Sequence, residues 1–125
     1  MPGARIGVDV VAVQRVRELI AGLGLGRMLL PAELGDGTDA VGIAGRLAAK
    51  EAVFKLFHAA DAPVPWLSTE IRTEPGGWPT VRLHGRAATL AESAGITDIS
   101  ISITHDGAYA IAVAAGQPAT SGGTA

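Results

Sequence analysis

Residues 98–115 read Asp98-Ile99-Ser100-Ile101-Ser102-Ile103-Thr104-His105-Asp106-Gly107-Ala108-Tyr109-Ala110-Ile111-Ala112-Val113-Ala114-Ala115. Over Asp98–Thr104 three isoleucines alternate with Ser100, Ser102 and Thr104, the period of a strand with one buried face. Asp106-Gly107 carries the chemistry of a two-residue hairpin turn, so Ala108–Ala115 is expected to fold straight back beside the first strand. The sheet is therefore built on antiparallel pairing.

Moving upstream, Gly85–Ala94 reads as a short Ala-rich helix stopped by Gly95. Trp66–Glu74 and Thr80–His84 read as strands joined by the turn Pro75-Gly76-Gly77. Before them, Thr38 is a candidate N-cap for a long helix running to about Ala60, ended by Pro63 and Pro65. Arg27–Glu33 suggests a turn of helix broken by Pro31. Gln14–Leu23 has Val16, Leu19, Ile20 and Leu23 at helical spacing. Arg5–Val13 opens the chain as a strand, with Ile6, Val8 and Val10 on one face and Asp9 on the other. The predicted fold class is α+β: a small, mainly antiparallel sheet packed against one long and one shorter helix. One domain spans residues 1–116, and Gln117–Ala125, made of Gln, Pro, Ala, Thr, Ser and Gly, reads as a frayed tail.

The 125 residues hold 10 Lys and Arg against 12 Asp and Glu, a net charge of −2, which is too balanced for a broad nucleic-acid footprint. The absence of cysteine excludes thiol nucleophiles, Fe–S clusters and Cys-type zinc sites. No run reaches the length of a membrane span, and Asp9 interrupts what would be the apolar stretch of a secretory signal, so a cytoplasmic protein is expected.

Lysine usage is lopsided, for Lys50 and Lys55 are the only two lysines and both fall in the long predicted helix. An ammonium suits a single phosphate or leaving oxygen, where a guanidinium favours planar bidentate contacts. Glu51 precedes Lys55 by four residues on one helical stripe, and Arg46 and Lys50 share a neighbouring stripe. A surface ion pair is the competing reading of Glu51 and Lys55, and Ala48, Ala49 and Ala52 around them leave room for another backbone or a ligand. Asp9, among Val8, Val10 and Val11, needs a partner if buried, and a metal ion shared with a second carboxylate would supply one, as would an Arg salt bridge. His105 sits at a strand end before a turn, where a side chain can reach a cleft edge. No two histidines have zinc-ligand spacing, and no Walker loop, dinucleotide fingerprint or nucleophile elbow is present.

Three blocks carry a resemblance: Ile6-Gly7-Val8-Asp9-Val10-Val11 with Arg15; Gly45-Arg46-Leu47-Ala48-Ala49-Lys50-Glu51-Ala52 with Lys55; and Ile101-Ser102-Ile103-Thr104-His105-Asp106 with Tyr109-Ala110. In this order they resemble the holo-acyl-carrier-protein synthases, the short trimeric type of 4′-phosphopantetheinyl transferase, from Ile6 to about Val113. The resemblance implies a Mg²⁺-dependent transfer of 4′-phosphopantetheine from coenzyme A to a serine of an apo acyl carrier protein, releasing adenosine 3′,5′-bisphosphate. It gives Asp9 and Glu51 to Mg²⁺ and catalysis, and Lys55 to the pyrophosphate. Arg46, Lys50, Pro79 and His105 would help hold the coenzyme, and Arg15 would face the carrier protein. A homotrimer with sites between subunits is implied, with no nucleic acid or membrane as partner.

The general base is open among Glu51, a metal-bound water and a group on the carrier, as is the choice between fatty-acid and polyketide carriers. The chain departs from the family at Leu56-Phe57-His58-Ala59-Ala60-Asp61, where relatives commonly have a Gly-rich turn. It departs also over Met28–Asp39, which matches an aromatic Thr/Glu motif poorly, and at Leu47, where Phe is usual. The rivals are a non-catalytic coenzyme A or carrier-protein binding scaffold of the same fold, and a Mg²⁺ phosphohydrolase.

Overall fold

The computed structural model describes residues 3–22, 24–35 and 39–119. β1 (Arg5–Ala12) pairs antiparallel with β5 (Tyr109–Pro118), which pairs antiparallel with β4 (Ile96–Asp106), so the sheet order is β1-β5-β4. β2 (Thr69–Thr73) and β3 (Pro79–Leu83) form a separate two-stranded antiparallel sheet. Between β1 and β2 the chain makes α1 (Val13–Ala21), a 3-10 turn at Leu25–Arg27, the short α2 (Pro31–Leu34), α3 (Ala40–Lys55) and a second 3-10 turn at Trp66–Ser68. α4 (Gly85–Ala94) links β3 to β4. The α+β class holds, with antiparallel strands in two small sheets rather than one.

α3 lies at the centre of the packing and buries Ile43, Leu47, Ala48, Ala49, Ala52 and Val53. Its small residues permit close approach. A Cβ on Gly7 of β1 would run into the carbonyl oxygen of Ala52, with that carbonyl carbon at 3.1 Å and the Lys55 Cβ at 3.3 Å. Gly7 is thus required by backbone contact, and it sets β1 directly on the helix that carries Glu51 and Lys55.

That contact decides a matter that alternation leaves open. Gly7, Asp9 and Val11 face α3, while Ile6, Val8 and Val10 are 65 %, 50 % and 54 % exposed on the far face of the sheet. Tyr109 and Val113 of β5 are exposed on the same face. Period-2 patterning assigns residues to two faces but not which face the rest of the chain covers.

Several boundaries also move. α3 is capped by Asp39, whose Oδ1 accepts the Gly42 amide at 2.8 Å, while Thr38 and Leu23 lie outside the described residues. The long helix stops at Lys55 instead of near Ala60, because Leu56 and Phe57 turn into the core and His58 takes φ +50°. Arg5 Nη1 donates to the Leu56 carbonyl at 3.0 Å and closes that end. Trp66–Ser68 is a 3-10 turn, not the start of a strand. The β4–β5 turn is Gly107-Ala108, one residue later than the Asp-Gly reading, since Asp106 pairs with Tyr109. Ile20 is exposed on α1. β5 continues through Gln117 and Pro118, which pair with Thr97 and Ile96, so part of the expected tail is sheet. Residues 120–125 lie outside the described residues.

Candidate active site

The Gly7–Ala52 contact brings the Asp9 and Glu51 carboxyl groups within hydrogen-bonding reach of each other. Lys55, one turn beyond Glu51, donates from Nζ to the Val8 carbonyl at 2.7 Å and to Asp9 Oδ1 at 3.2 Å. The Asp9 side chain is 14 % exposed against 52 % for Lys55, so the amine reaches from solvent over a largely covered carboxylate.

Asp9 Oδ2 is buried with no donor among the described residues. Two ionised carboxylates offer only lone pairs to one another, so Asp9 and Glu51 need either a shared proton or a cation between them. Glu51 bears this out: burial first, then the hydrogen bond and charge of Asp9, push its carboxyl from 4.5 up to about 7, against a weaker opposing pull from Arg15 and Lys55. A proton on Glu51 near neutral pH is a group that a divalent cation would displace. The donor set, two carboxylates with one orphaned buried oxygen, is the hard-oxygen chemistry that Mg²⁺ takes, with phosphate and water filling the rest of its octahedron. Among the described residues no third acidic or imidazole ligand joins them.

A second group of side chains converges elsewhere. A cleft of about 240 Å³ is lined by Arg46 from α3, Ile71 and Thr73 from β2, Gly77 and Pro79 from the β2–β3 hairpin, and His105 from the end of β4. Gly45 makes the α3 wall thin, since a Cβ there would meet Ile103 of β4 at 2.8 Å. Arg46 and Lys55 are nine residues apart, which on a helix puts them about 14 Å apart along the axis and on opposite sides. The described structure therefore brings Asp9, Glu51 and Lys55 together, with Arg15 near Glu51, and separately Arg46, Pro79 and His105.

Lys50 joins neither group, contrary to the reading that has it holding coenzyme phosphates. Its ammonium is 0 % exposed, and its three protons go to Glu33 Oε1 at 2.7 Å, the Trp66 carbonyl at 2.7 Å and the Met28 carbonyl at 2.8 Å. Burial lowers its pKa from 10.5, and the Glu33 hydrogen bond and charge oppose that shift. With every donor satisfied inside the chain, no proton is left for a ligand. Glu33 is a functional position that the motifs of the sequence do not mark. The available signal was an acid three residues past Leu30, behind Pro31, at the third position of a helix start.

A family model described as the 4′-phosphopantetheinyl transferase superfamily matches residues 5–114. The chain belongs to the 4′-phosphopantetheinyl transferase superfamily. Among curated members, the holo-[acyl-carrier-protein] synthase of Desulforudis audaxviator is 42 % identical over 117 residues, 87 % of this chain and 88 % of that protein. Among solved members, the holo-[acyl-carrier-protein] synthase of Helicobacter pylori, in complex with coenzyme A, superposes with a TM-score of 0.74 at 26 % identity, covering 90 % of this chain and 100 % of that one. An ACPS–CoA complex from Chronobacterium ammoniagenes gives 0.80 at 27 % identity, covering 95 % and 100 %. This superfamily member is thus a phosphopantetheinyl transferase, and no described helix is long and apolar enough to cross a membrane.

Proposed function

We propose that the protein transfers 4′-phosphopantetheine from coenzyme A to a serine of an apo acyl carrier protein, with release of adenosine 3′,5′-bisphosphate. The observation that carries this reading is the pairing of the Glu51 carboxyl with Asp9, whose buried Oδ2 has no hydrogen-bond partner among the described residues, with the Lys55 amine alongside. Mg²⁺ held by Asp9 and Glu51 would supply charge neutralisation at the diphosphate, the main source of catalysis in phosphoryl transfer. Lys55 reaches the same place with a mobile point charge and can take a non-bridging or leaving oxygen. Arg46, Pro79 and His105 hold the nucleotide half in their cleft. Arg15, exposed on α1 near Glu51, presents a positive charge to an acidic carrier surface beside the reaction site.

The same reading makes the working form a cytoplasmic homotrimer with sites between copies. Two observations support the assembly. The diphosphate group and the nucleotide cleft sit on opposite sides of α3, so a neighbouring copy can complete each site. The outer sheet face, with Ile6, Val8, Val10 and Val113, is an apolar surface of the kind a second copy covers.

Incubation with coenzyme A, Mg²⁺ and several apo carrier proteins, followed by mass spectrometry of the carriers, tests the reaction. Growth of a carrier by one phosphopantetheine is expected. Coenzyme A cleavage without growth points to a phosphohydrolase, and the absence of both growth and cleavage points to a binding scaffold.

A further inference from the structure

The proposed chemistry does not use the buried Lys50–Glu33 pair. Glu33 accepts the Leu30 amide and the Lys50 ammonium on Oε1, both at 2.7 Å, and the Ile71 amide on Oε2 at 2.8 Å. Lys50 adds the carbonyls of Met28 and Trp66. One saturated network thus ties α3 to the start of α2, to the 3-10 turn before β2, and to β2 itself.

Direction matters here. The Ile71 amide points away from β3 and donates to Glu33, while Ile71, largely buried in the core, is one of the residues that line the nucleotide cleft. On α3, Arg46 lies one turn before Lys50 on the same stripe and lines that cleft from the opposite wall. The pair therefore fixes each wall of the cleft next to a residue that lines it. A well-packed apolar pair of equal volume would serve stability as well or better, but it could not orient an amide and two carbonyls.

We infer that Lys50 and Glu33 are positioning residues for the nucleotide cleft: they lock the β2–β3 hairpin against α3 and so set the affinity for coenzyme A without touching it. The identity of the ligand rests on the transferase reading; the locking of the hairpin does not. The Asp9 and Glu51 carboxylates, positioned by β1 on α3, lie outside this network.

The test is the double variant Glu33→Gln with Lys50→Met, which removes both charges and keeps the volume, alongside Glu33→Asp, which keeps the charge and shortens the reach. In either folded variant the KM for coenzyme A is expected to rise about tenfold, with kcat within about twofold. Amide exchange without ligand is expected to quicken across residues 69–83 and stay unchanged in β1 and β5. A folded variant with unchanged KM and unchanged hairpin exchange overturns the inference, as does a loss confined to kcat. Should the double variant not fold, Glu33→Asp decides by the same two readouts. If the unsubstituted protein shows no turnover of coenzyme A, the transferase reading falls, and hairpin exchange still decides the positioning role.

Discussion

Replacing Gly7 by alanine probes how the fold builds the diphosphate site. The added methyl falls inside the van der Waals shell of the Ala52 carbonyl oxygen, and because that obstacle is helix backbone it cannot rotate away. Clearance requires β1 to lift from α3 by at least about 1 Å, given optimal heavy-atom separations near 3.5 Å. Overpacking of this kind costs about 1–3 kcal/mol, within the ~5–15 kcal/mol stability of an ordinary domain, so the variant folds. The same 1 Å separates Asp9, two residues on, from Glu51, and it exceeds the ~0.2 Å tolerance of metal–ligand distances several-fold. Transfer activity is therefore expected to fall about 10²-fold while the urea midpoint drops only modestly. Urea denaturation followed by circular dichroism, with initial transfer rates at saturating Mg²⁺, gives both numbers. Full activity in Gly7→Ala would refute the claim that the Gly7–Ala52 contact positions the carboxylates.

Three further outcomes follow from the same geometry. Glu51→Gln is expected to cut transfer by about 10²-fold or more through loss of a metal ligand, while stabilising the metal-free protein at pH 8, where the Asp9–Glu51 repulsion it removes is largest; equal urea midpoints for the two proteins at pH 8 would contradict this. Arg15→Glu is expected to weaken carrier-protein binding, and its salt dependence, more than coenzyme A binding, as read by calorimetry with each ligand. His58→Gly, at φ +50°, is expected to stabilise the fold by about 1 kcal/mol in urea, because a glycine adopts that conformation without the Cβ clash.

The sequence made the strands, the Gly85–Ala94 helix and the antiparallel pairing legible, because alternation and turn chemistry are local. It also named Asp9, Glu51 and Lys55, which the fold gathers at one place, and Arg46, Pro79 and His105, which line one cleft. What stayed hidden depended on which surface covers which. Lys50 and Lys55 are alike in sequence context, yet α3 is enclosed on most sides, so one lysine is sealed and the other half exposed. The apolar period that separates inside from outside on a surface helix is lost when Ala48, Ala49 and Ala52 surround the charges. For the same reason Glu33 gave no sign of its partner seventeen residues away. On β1 the more apolar face is the uncovered one, since close packing on α3 selected Gly7 and Val11 for the inner side.

The account stands on Asp9 and Glu51 sharing one divalent cation. A raised Glu51 pKa favours the folded metal-free state below pH 4.5, and that contribution fades as pH rises through about 7. A cation must displace the Glu51 proton, so affinity should climb by about tenfold per pH unit below 7 and level off above it. Mn²⁺ titration followed by electron paramagnetic resonance, from pH 5.5 to 8.5 with coenzyme A present, measures this directly. The expected result is one site per chain with that pH profile, lost in Asp9→Asn; a site that survives Asp9→Asn, or an affinity flat across pH 7, contradicts it.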